Sequence, residues 1–318
     1  MMPAPGSDWR VPKGSPEAVF PFVLLSVAMR AAAIFNPGCP PKNLDSFQKN
    51  STVEWLDQMP SSRDQADLIL IFGGDGTVHH HLSQLVELAL PVLVVPVGSG
   101  NDFACALGIR NLKDAYAAWN RFRDGGNNVR TADLGVITPL SADGKQGTSR
   151  YFASVAGVGI DGEVARRANK LPRWLRGNGG YLLTLIPTIL RFTPRHLQIF
   201  VSEKGSWTLR SDRRVVLAAF ANTATYGGGM KIAPQAHPND GLLDICIVGP
   251  VGKIKLLSLF PSVYTGEHLK VREVSYFQAP GARVESDQPL AIYADGEYVC
   301  QTPAEISLSR SALPVITR

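Results

Sequence analysis

Hydrophobic positions along the chain follow two different rhythms. In the first third, unbroken apolar runs dominate, at Ala31 to Phe35, Leu68 to Phe72 and Pro91 to Val97. Short unbroken runs closed by turn residues predict strands buried on both faces, as in a parallel sheet covered by helices. The second and third runs enter glycine turns, Gly73-Gly74-Asp75-Gly76-Thr77 and Gly98-Ser99-Gly100-Asn101-Asp102, and helix-like sequence follows each. Leu44 to Met59 and Leu112 to Phe122 predict further helices. Strand, glycine turn and helix in repetition predict an α/β sheet with ligands at the carboxyl ends of its strands.

Around Arg123 to Asn128 the rhythm changes to alternation. Val129 to Ile137, Arg150 to Val158, His196 to Ser202, Trp207 to Arg210, Val215 to Asn222, Gly241 to Val248 and Ala282 to Glu285 predict strands of an antiparallel sandwich or barrel. A helical insert from Gly162 to about Phe192 interrupts them, and Lys253 to Tyr264 predicts another helix. The expected molecule has an α/β N-terminal half and a mostly β C-terminal half, with a ligand cleft where they meet.

Composition narrows the class. Hydrophobic residues make up 45% and charged residues 19%, as in a packed globular protein rather than a disordered chain. The net charge of +5 favours encounters with phosphates, nucleic acid or anionic membrane without choosing among them. No nucleic-acid motif accompanies it, so nucleic acid is not expected as a partner. Cys39, Cys105, Cys246 and Cys300 lack metal-type spacing and read as small buried hydrophobes in a reducing compartment. Val19 to Met29 is too short to span a bilayer and continues into the first strand, so it reads as an ordered lead-in rather than a cleaved signal.

The two glycine turns carry the candidate chemistry. Glycines after a strand can turn backbone N–H groups toward one point, and the following helix N-terminus favours an anion there. A carboxylate at Asp75 would repel phosphate unless a cation bridged them, which suggests a metal-nucleotide site. Asp102 repeats the pattern beside Ser99 and Asn101, and Asp133 adds a third acid within Thr131-Ala132-Asp133-Leu134-Gly135. Mg²⁺ is usually held by one or two carboxylates plus waters and phosphates, as phosphoryl transfer requires. Asp295-Gly296-Glu297 is either a surface hairpin or a carboxylate pair able to take a hydroxyl proton. Asn239 to Asp244 is an Asx turn into a strand, or a cation site built on Asp240.

Two features invite over-reading. His79, His80 and His81 are consecutive, so on a helix they diverge by about 100° and do not share a metal; they read as solvated or loop-contacting. Arg166 to Arg176 surrounds Trp174 with cations and precedes the apolar Tyr181 to Leu190. That insert is either a solvated face and a core helix, or a membrane-surface element.

These pieces resemble the diacylglycerol kinase catalytic-domain family, which includes bacterial soluble lipid kinases, sphingosine kinases and ceramide kinases. The two glycine turns, Asp133-Leu134-Gly135, Gly157-Val158-Gly159-Ile160-Asp161, Asn239 to Asp244 and Asp295-Gly296-Glu297 occur in family order between about residues 31 and 300. The resemblance implies an α/β nucleotide domain like that of NAD kinases and phosphofructokinases over residues 1–126, with a C-terminal return over 302–318. It implies a β-sandwich-like lipid-substrate domain over 127–301. It implies ATP held by Asn36 and by the backbone of Gly73, Gly74, Asp75, Gly76, Thr77, Gly98, Ser99, Gly100 and Asn101. Catalytic Mg²⁺ would lie with Asp75, Asp102 and Asp133, and a second cation with Asp240 and the carbonyls of His237 and Leu242. Glu297 with Asp295 matches the proton acceptor, with Asp75 the third catalytic acid.

The implied activity is transfer of the γ-phosphoryl group to a hydroxyl of a membrane lipid such as diacylglycerol, by a cytoplasmic protein peripheral to the inner face of the membrane. A homodimer is left open. The chain departs from the family pattern in Gly38-Cys39-Pro40-Pro41, which stands where a Ser-Gly is usual, and in His79-His80, which replaces Asn-Glu. The short interval between Asn36 and Gly73 also implies a reduced strand-helix unit. The alternatives are an NAD kinase-type small-molecule kinase and a catalytically inactive lipid-binding homologue.

Overall fold

The computed structural model describes residues 28–36, 41–49, 52–141, 143–160, 162–164, 187–203 and 205–318. Most of the lead-in, the 38–40 departure, the basic insert at 166–176 and residues 181–186 lie outside the described residues.

Four parallel strands open the fold: β1 (Arg30–Phe35), β2 (Glu54–Leu56), β3 (Leu68–Gly73) and β4 (Val92–Pro96), in spatial order β2-β1-β3-β4. Every residue of β3 is buried, as its unbroken apolar run demands. The helix expected over Leu44 to Met59 is instead one turn, α1 (Asp45–Gln48), followed by β2. The intervening Asn-Ser-Thr-Val run holds weak helix formers, and β2 gains a ladder by pairing with β1.

Three helices pack on this sheet: α2 (Asp75–Leu88), α3 (Asp102–Ala106) and α4 (Leu112–Arg123). Val78, Leu82 and Leu85 form the buried stripe of α2 at helical spacing. Asn111 caps α4 by accepting the N–H of Asp114 at 3.0 Å. On α4, Trp119 is fully buried and packs against Phe47 and Trp55.

The C-terminal strand β16 (Ala304–Ile316) joins the two halves. It pairs in parallel with β4 at Val315, and antiparallel with β5 (Val129–Pro139) and β13 (Gly281–Glu285). The same sheet continues through β8 (Arg195–Glu203) to β9 (Ser206–Val215), and β6 (Arg150–Phe152) lies beside β5. Facing it is a second, antiparallel sheet. Its members are β7 (Val155–Gly159), β10 (Leu217–Ala221), β11 (Leu243–Val248), β12 (Val274–Ala279), β14 (Ala291–Ala294) and β15 (Glu297–Gln301), ordered β12-β11-β10-β7-β14-β15. Ile137, Phe152, Val158, Ile199, Phe220 and Ile306 fill the space between the sheets. Gly135 lacks a side chain because the ring of Phe152 occupies the place of its Cβ.

Two predicted elements are divided. Arg150 to Val158 breaks at Ala153-Ser154, which sends β6 to one sheet and β7 to the other. Lys253 to Tyr264 breaks at Pro261 into α5 (Lys253–Leu259) and α6 (Ser262–Thr265). Cys246 and Cys300 are buried as expected, but Cys105 is exposed on α3 because Phe103 and Ala104 take the inward positions.

Candidate active site

Because β3 and β4 are in register, with Gly73 opposite Pro96, the two glycine turns leave the sheet side by side. Their backbones touch. A Cβ on Gly98 would lie 2.5 Å from the Cα of Gly74, and one on Gly74 would overlap the Gly100 carbonyl. The Asp75 N–H donates to Gly100 O at 3.0 Å. Asn101 closes its own turn, accepting the Gly98 N–H at 3.1 Å and donating to Gly98 O at 2.9 Å. Thr77 lies in the space a side chain at Gly73 would need, and the Asn36 N–H donates to Phe72 O at 2.9 Å, which places Asn36 at the edge of the same turn. The helix begins at Asp75, so the N–H of the exposed Gly76 belongs to the first turn, without an intrahelical acceptor and at the positive end of the dipole. Ser99 is exposed at the tip of the second turn.

The acids of these turns are bound to backbone. The Asp75 carboxylate accepts the N–H groups of Asp102 and Phe103, both at 3.0 Å, and so caps α3 from the neighbouring turn. Burial pushes its pKa up to about 7; the charges of Asp102 and Asp295 add to the rise, against the two N–H bonds. Asp102 in turn accepts the N–H groups of Gly228 and Gly229 at 2.9 Å each. This triglycine turn, with Gly227 to Gly229 all at positive φ, escaped the sequence reading; its signal was the Gly-Gly-Gly run itself. Asp133 accepts from Gly241 at 2.8 Å and Ser311 at 2.6 Å, tying β5 to the Asn239–Gly241 turn and to a bulge in β16. Among the described residues no three acids, histidines or cysteines form a metal-holding group. Asp75 and Asp102 are neighbours, and Asp133 spends one oxygen on the Gly241 N–H and the other on Ser311 of the C-terminal strand.

Asp295 and Glu297 meet the cradle from the β half. Asp295 sits at φ +51 between β14 and β15, with its side chain 0% exposed. It accepts the N–H groups of Ala153 (2.8 Å), Ser154 (2.9 Å) and Val155 (3.3 Å), and His79 Nδ1 lies 3.1 Å from its Oδ2. Enclosed and bonded in this way, Asp295 fixes the β6–β7 break and leaves Glu297 the more exposed acid of the pair. Glu297 is exposed, and its Oε1 would lie 3.9 Å from a Cβ on Gly76. Of the three histidines, His79 proves to contact a loop. Burial opposes its charged form, but the bond to Asp295 and the charges of Asp295 and Glu297 prevail over it and over Arg150, raising its pKa.

The second predicted cation site contains an Asx turn. The Asp240 carboxylate turns back onto the N–H of Leu242 at 2.9 Å, and the His237 carbonyl accepts the N–H of Asn239 at 2.8 Å. Asp244, at the start of β11, is buried beside Tyr276 and Gln278, and burial raises its pKa. Behind the triglycine turn, Tyr226 and Met230 line an apolar cavity of about 90 Å³ together with Ile189, Val216, Leu256 and Phe260.

Comparison with known proteins places this geometry. The diacylglycerol kinase catalytic domain model matches residues 42–137, and that of the YegS C-terminal NAD kinase beta sandwich-like domain matches residues 154–317. A diacylglycerol kinase of Mycobacterium tuberculosis is 36% identical over 250 residues, 79% of this chain and 76% of that one. This chain belongs to the diacylglycerol kinase catalytic-domain family. It is accordingly a kinase, a phosphotransferase. A diacylglycerol kinase of Bacillus subtilis is 28% identical over 75% of this chain and 74% of its own. In fold, the crystal structure of a diacylglycerol kinase from Bacillus anthracis matches with a TM-score of 0.63 at 17% identity, covering 92% of this chain and 98% of that one. Yeast NADH kinase matches with 0.51 at 10% identity, covering 91% and 83%. Both likenesses agree with an α/β half joined to an antiparallel sandwich.

Proposed function

We propose that this protein transfers the γ-phosphoryl group of ATP to a hydroxyl of a membrane lipid, with diacylglycerol the first acceptor to test. The observation that carries the reading is the pair of glycine turns facing the exposed Glu297 across the junction of the two halves. The phosphates fit a cradle in which a Cβ on Gly74 or Gly98 would intrude, at the N-terminus of the 14-residue α2. Magnesium would neutralise the transferring phosphoryl group; Asp75 and Asp102 are the carboxylates able to hold it with the phosphates and water. The backbone of Gly74 to Gly76 and Gly98 to Gly100 orients the triphosphate, and Glu297 engages the acceptor hydroxyl. Asp240 remains the candidate for a second, structural cation.

A lipid acceptor is supported by the apolar cavity that starts at Tyr226 and Met230, directly behind the clamp on Asp102. At about 90 Å³ it is a narrow slot that a tail would widen by displacing α5. On the outside of α5, Ile254 is 86% exposed between Lys253 and Lys255, and Leu190, 49% exposed, is joined to it through the Lys253 ammonium. Apolar side chains among cations suit an anionic bilayer surface. Among the described residues no helix is long and apolar enough to cross a membrane. The test is incubation of purified protein with radiolabelled ATP, Mg²⁺ and vesicles containing diacylglycerol, with an NAD arm beside it. Labelled lipid that requires Mg²⁺ and disappears with Asp75→Ala is expected; labelled NAD without labelled lipid would overturn the lipid reading.

A further inference from the structure

We propose that the imidazole of His79, held by the enclosed carboxylate of Asp295, receives the proton of the acceptor hydroxyl as that oxygen attacks the terminal phosphorus. The proposal rests on the phosphotransfer reading above and assigns one step of it to a side chain in which this chain departs from the family pattern. His79 follows Gly76 by three residues on α2, so the two share a face, and it is the face that Glu297 overlooks. A hydroxyl placed between the cradle and Glu297 therefore stands beside the imidazole.

The bonds around Asp295 fix the tautomer. Both its oxygens accept backbone N–H groups, so it acts toward His79 as an acceptor, and Nδ1 carries the proton. The Nε2 lone pair is then directed away from Asp295. The His79 side chain is 15% exposed, and among the described residues Nε2 takes no hydrogen bond and is not a buried unpaired atom. A histidine oriented through Nδ1 by an enclosed carboxylate, with Nε2 accessible, is the arrangement general bases use. The charged groups that reach it are Asp295 and Glu297 from the β14–β15 turn, and Arg150 from β6. The two carboxylates stabilise an imidazolium, and the raised pKa agrees with that.

The step balances without any further reactant. The hydroxyl oxygen forms a bond to the terminal phosphorus, and the bond from that phosphorus to the bridging oxygen breaks. The nucleoside diphosphate leaves with the electron pair, and the hydroxyl proton passes to Nε2, then to water. Asp295 keeps its backbone bonds throughout.

The experiment measures lipid phosphorylation by wild type, His79→Asn, His79→Gln and His79→Ala across pH, with ATP binding followed by thermal shift. Imidazole nitrogen correlation NMR of the wild type provides a readout independent of turnover. In the Asn and Gln variants kcat should fall on the order of 10²-fold with the KM for ATP nearly unchanged. The acid limb of the wild-type profile should change in position and steepness, leaving the limb that Asp75, with its pKa of about 7, contributes in every variant. Added imidazole should restore turnover to His79→Ala, and the NMR spectrum should show the proton on Nδ1. Near-wild-type kcat with an unchanged acid limb in both the Asn and Gln variants, absence of imidazole rescue in a variant that still binds ATP, or a proton on Nε2, would each overturn the base assignment alone. Absence of labelled lipid with wild type would overturn the lipid reading and this proposal together.

Discussion

Asp75 and Glu297 lie on opposite sides of one cleft and have opposite surroundings. Asp75 is half-buried and spends both oxygens on the first N–H groups of α3. Glu297 is exposed at the end of a turn whose other acid, Asp295, carries the structural bonds. The α/β side of the cleft carries acids that serve as caps and clamps together with the imidazole of His79 on α2, and the β side offers the reactive carboxylate of Glu297. Acids that look alike in sequence divide between holding the site in shape and meeting the substrate, according to how many backbone N–H groups reach them.

The sharpest break in this contrast should come from Gly74→Ala. Its methyl group would collide with the Gly100 carbonyl and force the two turns apart. Activity is expected to fall to background and stability by about 1–3 kcal/mol, read by urea denaturation. Glu297→Gln should behave in the opposite way: kcat reduced on the order of 10²- to 10⁴-fold with an unchanged melting temperature, since Glu297 is exposed. A matching loss of stability would mean that Glu297 is structural too. Asp102→Ala leaves the N–H groups of Gly228 and Gly229 without their acceptor and should cost about 1–3 kcal/mol. Calorimetry checks this, and an unchanged unfolding temperature would remove Asp102 from the clamp.

A further test varies pH. The folded protein holds the Asp75 proton up to about pH 7, whereas the ordinary value is 3.8. A folded-state pKa that is raised favours the fold while the acid is protonated, and that contribution is lost as pH rises through the folded value. In the presence of a chelator, the urea midpoint of the wild type should therefore fall between about pH 4 and about pH 7 and level off above that, with a flatter profile in Asp75→Asn. Equal slopes would place the titration elsewhere.

The cradle was legible in the sequence because both parts of its signal are local: an unbroken apolar strand, then glycines around an acid. Its two copies lie on adjacent strands, which the α/β rhythm already suggested. The partners of the acids were not legible. Asp102 meets Gly228 across 126 positions and Asp295 meets Ala153 across 142, and no periodicity encodes such pairings. The same limit hid β2, whose residues gain a ladder only because β1 lies beside them. His79 was legible as a residue that contacts a loop, but its pairing with Asp295 required the fold that brings β14 over α2.

A crystal structure with a non-hydrolysable ATP analogue and Mg²⁺ tests most directly whether the two glycine turns and Glu297 form one site. The triphosphate should lie against the backbone of Gly74 to Gly76 and Gly98 to Gly100, with its terminal phosphate toward Glu297 and with Asp75 still bonded to α3. A nucleotide bound elsewhere, or in the cradle with its terminal phosphate turned away from Glu297, would contradict it.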